Sequence, residues 1–237
     1  MEKSFAAGEF YIICYDKDGN IKWEERNHNL VVSSGVQYMA GTGLDGVTTR
    51  ITSWYIGLIG NAQSTTTFAN ADTMSSHAGW SEFIGYSNAT RPAATFVTAT
   101  LANPSVVTNS ASVAAFTINS AFASTGSSIS GTTLTIGSLT SGTISPGQII
   151  TGTGVTAGTY IISGSGSTWT VSPSQTVAST AISSATSVVA GAFLTSNNTK
   201  AGTTGTLFSA SDFSAGERTV IATDVLNVTY TFSLTGS

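Results

Sequence analysis

The sequence predicts an all-β protein: a β-sandwich or jelly-roll-like domain with an inserted small β-sandwich or barrel module. Three observations carry this. Apolar and polar residues alternate along short segments, the period of a strand with one buried face. Gly, Pro and Asn punctuate those segments. The charge is segregated: no Asp, Glu, Lys, Arg or His occurs from Pro92 to Thr199, so every charged residue lies between Glu2 and Arg91 or between Lys200 and Asp224. The chain therefore divides into an arm (1–8), a discontinuous main domain (9–121 with 186–237) and an uncharged Ser/Thr/Gly-rich β module (122–185).

Taken in order, Glu9 to Tyr15 and Ile21 to Arg26 are the arms of a hairpin, turned by Asp16-Lys17-Asp18-Gly19-Asn20. The Asp-Gly pair supplies the positive φ that a tight turn needs. Asp16, Asp18 and Asn20 also resemble the start of a calcium loop. However, Ile21 and Asn27 stand where a glycine and a bidentate Glu are required, so the stretch is a bare turn. Asn27 to Val32 continues as a strand. Ser33 to Gly41 predicts the single short helix, with a hydroxyl cap at Ser33 or Ser34 and Val36, Met39 and Ala40 on its apolar face. The apolar run Ser53 to Gly60 reads as a buried central strand. Gly79 to Tyr86 and Ala94 to Leu101 follow as strands, then Val106–Val107 and Ser112 to Ile118.

From Phe122 to about Ser184 the texture is low in complexity, yet alternation persists in Thr133-Leu134-Thr135-Ile136, Thr159-Tyr160-Ile161-Ile162 and Thr168-Trp169-Thr170-Val171. A flexible linker has no use for Trp169, Tyr160 and paired isoleucines, so the stretch is a folded module. Thr186 to Thr195 returns to the main domain. Leu226, Val228, Tyr230, Phe232 and Leu234 alternate strictly with Asn227, Thr229, Thr231 and Ser233, which predicts a half-buried antiparallel strand.

Composition narrows the function. Charged residues make up 8% of the chain, against roughly 25% in a typical soluble domain. The polar surface is therefore hydroxyl and amide, indifferent to pH and salt, which suits a protein working outside a cell or on a particle. Low charge also removes a defence against strand association, so a regular oligomer, a dimer or trimer, is expected. The net charge is −4 with no basic run, which argues against nucleic acid as a partner. No apolar run approaches the ~20 residues that span a bilayer, so no membrane is expected. The first residues lack a basic-then-apolar leader, so synthesis in a cytoplasm is expected. Cys14 stands alone and reads as a buried, inert thiol.

Tyr11 to Trp23, Trp54 to Ile59, Gly79-Trp80-Ser81-Glu82-Phe83 to Arg91-Pro92-Ala93, Gly191 to Thr195, Gly205 to Ala210 and Val225 to Tyr230 together resemble a family of tailed-bacteriophage virion proteins. In short-tailed phages such proteins look like capsid cement or decoration proteins with sandwich or jelly-roll bodies. The stretch Ile149 to Thr159 and Thr170 to Val177 looks like a mobile β unit of phage structural proteins, inserted at a loop tip. The resemblance implies a non-enzymatic virion protein on the capsid surface that bridges subunits of the major capsid protein. The arm residues Lys3 and Phe5 and the hairpin-edge residues Lys22 and Arg26 are its candidate contacts. The alternative is a tail-fibre or adhesin-type protein whose module grips a host surface glycan.

No catalytic constellation, cofactor or metal site is expected. His77 follows Asp72 by five residues, but serine is so abundant that its proximity carries no catalytic information. His28 and His77 are the only imidazoles, too few for a zinc site without distant carboxylates. Glu24 and Glu25 point to opposite faces of a strand and read as a solvated edge. The Gly152, Gly154 and Gly158 spacing is no dinucleotide fingerprint. Trp23, Trp54 and Trp80 read as core or as interface anchors.

Overall fold

The computed structural model describes residues 5–60, 67–119 and 121–236. The protein is mostly β, with three antiparallel sheets and one short α-helix among those residues. The first elements are β1 (Phe5–Tyr15), β2 (Ile21–His28), β3 (Leu30–Val31), α1 (Ser33–Ala40), β4 (Trp54–Ile59), β5 (Glu82–Phe83) and β6 (Ala93–Ala94). Next come β7 (Ser105–Thr108), β8 (Ala114–Thr117), β9 (Phe122–Thr135), β10 (Ser138–Gly142), β11 (Gln148–Gly152) and β12 (Tyr160–Ser165). The chain ends with β13 (Thr168–Val189), β14 (Gly191–Thr195), β15 (Leu207–Asp212), β16 (Arg218–Ile221) and β17 (Val225–Thr235).

Two sheets form a sandwich. The first runs β2-β1-β17-β7 with β8 also on β17, and the second runs β3-β15-β14-β4-β5 with β6 also on β4. Their shared core joins Phe10, Ile12 and Cys14 of β1 and Leu226 to Phe232 of β17 to Ile56, Leu58, Leu194 and Phe208 of the opposite sheet. The strict alternation along β17 places Leu226, Val228, Tyr230 and Phe232 in this core, as expected of a strand with one wet face, while Leu234 near the end of the strand is exposed. The second sheet is buried on both faces, because Met74, Trp80, Phe193, Leu207 and Ala210 form another core behind it. That double burial explains why β4 and β14 read as nearly unbroken apolar runs.

β1 begins at Phe5, four residues before the expected strand start at Glu9. β17 provides a register partner for every residue from Phe5, opposite Thr235, to Tyr15, opposite Val225. Residues 5–8 are thus part of a ladder and not a free arm. Lys3 lies outside the described residues, and for Phe5 only the backbone is described. The helix lies where expected but is capped differently. Val32 is its N-cap without a side-chain bond, and the Ser34 hydroxyl donates to the Leu207 carbonyl at 2.6 Å. Val36, expected on the apolar face, is half exposed.

The third sheet contains β9 to β13, with β16 also on β13. Its ladder closes on itself: β13 pairs β12 through residues 168–172 and β11 through residues 182–187, while β11 pairs β12 at Ile149 and Tyr160. β9 runs along both halves of β13. Of the two expected forms, sandwich or barrel, this is a barrel. Its interior holds Ile129, Leu134, Ile161, Trp169, Val171 and Ile182, a core drawn wholly from residues 122–182.

Cys14 is fully buried, and burial pushes its thiol up to about 12. At pH 8 that leaves roughly 10³-fold less thiolate than a free cysteine has. The native protein is therefore expected to resist a disulfide reagent at pH 8 and to react with one thiol per chain only in denaturant. Rapid labelling without denaturant would contradict the buried position.

Candidate functional site

The hairpin that carries Lys22 and Arg26 is an edge of the first sheet. Its turn is closed by Asp16, whose carboxylate accepts the backbone N–H groups of Asp18 and Asn20 at 2.9 Å each. Those bonds, chiefly from Asn20, hold the Asp16 carboxyl below its usual range. A register shift places Cys14 opposite Trp23 but Tyr15 opposite Ile21, so Lys22 is the extra residue of a bulge. Bulges re-aim side chains, and this one directs the Lys22 ammonium onto the buried Asp224 carboxylate at 2.5 Å. Arg26 bonds Glu9 at 2.9 Å and lies over the Tyr11 ring. Both cations are thus engaged within the chain. Glu25 departs from expectation: it is not on a solvated edge but buried against Arg218, while Glu24 stays exposed and accepts the Tyr11 hydroxyl.

His77 and Asp72 do not meet as acid and base. The Asp72 carboxylate accepts the Trp80 indole N–H at 3.2 Å and the Ala69 N–H at 3.1 Å. The His77 ring stacks flat on Trp80 with centroids 3.8 Å apart. Among the described residues no group of three or more His, Cys, Asp or Glu gathers where a metal ion could be held. No described helix is long and apolar enough to cross a membrane.

The concave feature with a structural cause lies where β4 and β6 part. They pair at Tyr55 with Ala93 and Trp54 with Ala94, and the Ile56 N–H donates to the Pro92 carbonyl at 3.0 Å. In that register the next hydrogen-bonding pairs would be Thr52 with Phe96 and Arg50 with Thr98. Neither forms. Ile51 donates its N–H to the Tyr38 hydroxyl of α1 at 2.9 Å. Val97 and Thr100 donate to Thr108 and Val106, on the first sheet. The chain from Ala93 to Thr100 thus crosses from one sheet to the other. This corrects the expected continuous strand from Ala94 to Leu101: only Ala93–Ala94 remains in the second sheet's ladder.

The crossing opens a groove of about 580 Å³ between residues 50–53 and 95–99. It adjoins an apolar recess of about 250 Å³ lined by Tyr38, Met39, Trp54, Phe96, Phe208 and Leu234. Trp54 and Phe96 line both. Arg50 is exposed at the groove. Every other described cation has a carboxylate or carbonyl partner: Lys17, Lys22, Arg26, Arg91 and Arg218 bond carboxylates, and Lys200 bonds the Tyr86 and Asn88 carbonyls. Arg50 has none among the described residues. The groove was not legible in sequence. Its one signal is Trp54, read as core or interface anchor, which is half-buried with its ring edge-on to Tyr38 and Phe208.

No protein-family model, no curated protein and no solved structure matches the chain.

Proposed function

We propose that this protein is a non-enzymatic structural component of a phage virion that binds the outside of the capsid. It cements neighbouring subunits of the major capsid protein, with the uncharged barrel projecting outward. The observation that carries this reading is apolar surface that a free monomer does not need. Leu101 is fully exposed at the tip of the crossing segment, and Val97 and Leu234 are partly exposed on the walls of the groove and recess. Leu44, on the π-helical turn Gly41–Asp45 that continues α1, and Val47 just after it are 90% and 83% exposed, and Tyr38 and Met39 of α1 line the recess. The segments that resemble phage virion proteins support the same reading.

A stable contact buries roughly 1,200–2,000 Å² in total, and many copies on one particle act together through avidity. The test is cosedimentation of the purified chain with expanded, empty shells, followed by calorimetry. Binding in register with the shell lattice and a raised shell melting temperature are expected. Failure to bind shells of any maturation state overturns the reading.

A second reading, a tail-fibre or adhesin-type glycan binder, draws on β10, whose Ser138, Thr140 and Ser141 are all exposed on the barrel. Copy number separates the two: hundreds per particle for a cement, a few to tens for a fibre.

A further inference from the structure

We infer that the groove takes an extended peptide segment of another protein, one carrying a carboxylate beside a large apolar side chain. The segment adds as a strand along Phe96 and Thr98, in the pairing positions that Thr52 and Arg50, just before β4, leave empty. Three independent features meet there. The first is an open ladder. The register set by Trp54 and Ala94 calls for Thr52 opposite Phe96 and Arg50 opposite Thr98, and none of these four residues has a backbone hydrogen-bond partner among the described residues. An unpaired edge is a template for a strand from another chain, with main-chain bonds giving affinity and alternate side chains giving specificity. The second is the adjoining recess, whose Trp54, Phe96, Phe208 and Tyr38 walls suit one aromatic or branched side chain. Alternate residues of an extended strand point to one face, so a single anchor can enter it while its neighbours stay outside.

The third feature selects the charge. Arg50 is the one described cation without an internal partner, and it stands on the groove wall. Every other described cation is used within a chain of net charge −4. A cation left free in such a chain favours an anionic visitor and repels a basic one. The assignment deepens the reading above and rests on it only for the visitor's belonging to a shell protein.

The probe is a library of hexapeptides with Thr at alternate positions, Val, Leu, Phe or Tyr between them, and a terminal Asp or, in a matched set, a terminal Lys. Binding is read by fluorescence polarisation on the full chain. Saturable binding of Asp-terminated members is expected. Arg50→Glu should weaken it by about 5-fold, of the order of a reversed exposed ion pair, and should transfer the preference to the Lys set. N-methylation of one alternate set of peptide amides should abolish binding while the other set is tolerated, a pattern that side-chain contact alone does not produce.

No binding by any Asp-terminated member, or binding indifferent to both Arg50→Glu and N-methylation, overturns the inference. So does concentration-dependent dimerisation that Arg50→Glu abolishes, since it gives the groove to a second copy. Peptide binding without shell binding removes the virion reading and leaves this one. Shell binding unaffected by Arg50→Glu, with no peptide captured, does the reverse.

Discussion

Replacing Arg91 with alanine lowers the unfolding free energy by about 3–5 kcal/mol, the cost of leaving a buried charge without its partner. The Arg91 side chain is wholly inaccessible and Glu82 nearly so. Its Nε and Nη2 bond the two Glu82 oxygens at 2.8 and 2.7 Å, and it donates further to the Asn197 and Gly202 carbonyls. The Ala201 N–H completes the Glu82 carboxylate at 2.7 Å. One guanidinium therefore fastens the residue 197–202 loop to the end of the second sheet. In a chain of this length each kcal/mol moves the melting temperature by about 2–4 °C, so a fall of about 6–20 °C is expected by calorimetry. The pair Arg91→Met with Glu82→Gln should lose less than the two single changes added, because neither orphan charge remains. A loss below about 1 kcal/mol for Arg91→Ala would show that water reaches the site.

The second large effect lies one layer beneath. Phe193 of β14 stands directly opposite Gly57 of β4, and its ring covers the glycine. A β-carbon at residue 57 would overlap three carbons of that ring, so the ring or the strand would have to shift. Trp80 packs on the same ring at 5.1 Å and the Arg91 guanidinium lies over it at 5.2 Å. Phe193→Ala is expected to cost about 3–5 kcal/mol, and Gly57→Ala about 1–3 kcal/mol through overpacking. The double variant should be more stable than additivity gives, by about 1 kcal/mol or more, since the new methyl enters the space the ring vacates. Denaturant titration of the four proteins measures this coupling, and strict additivity would show that the two residues do not share the space.

How much of this was legible in the sequence depended on what each signal encodes. The alternation along Leu226 to Phe232 encodes burial of one face and marks the strand and its inner side, whereas its central place between β1 and β7 is set by partners that the pattern does not name. The unbroken run at Trp54 to Ile59 encodes burial on two faces. What stayed hidden is partner choice. Thr95 to Thr100 has the composition of a strand and is extended, but nothing in it says that Val97 bonds to the first sheet while Ala94 bonds to the second. The full length of β13 was hidden as well: a proline in a strand is confined to edges and bulges, yet β13 runs through Pro173, because its register to β9 shifts between Thr170 and Gln175 and no ladder donor is required there. Arg218 and Glu25 meet across more than half the chain, and no local pattern announces such a pair.

β13 has a mechanical consequence. Its early residues are staves of the barrel, Ile182 belongs to the barrel interior, and Val189 belongs to the interior of the sandwich, where residues 186–189 pair with β16. A tug on the barrel along that strand is delivered parallel to the ladder, so the bonds to β16 must slide together and cannot unzip one by one. A load on the barrel along β13 therefore reaches the sandwich through one continuous strand.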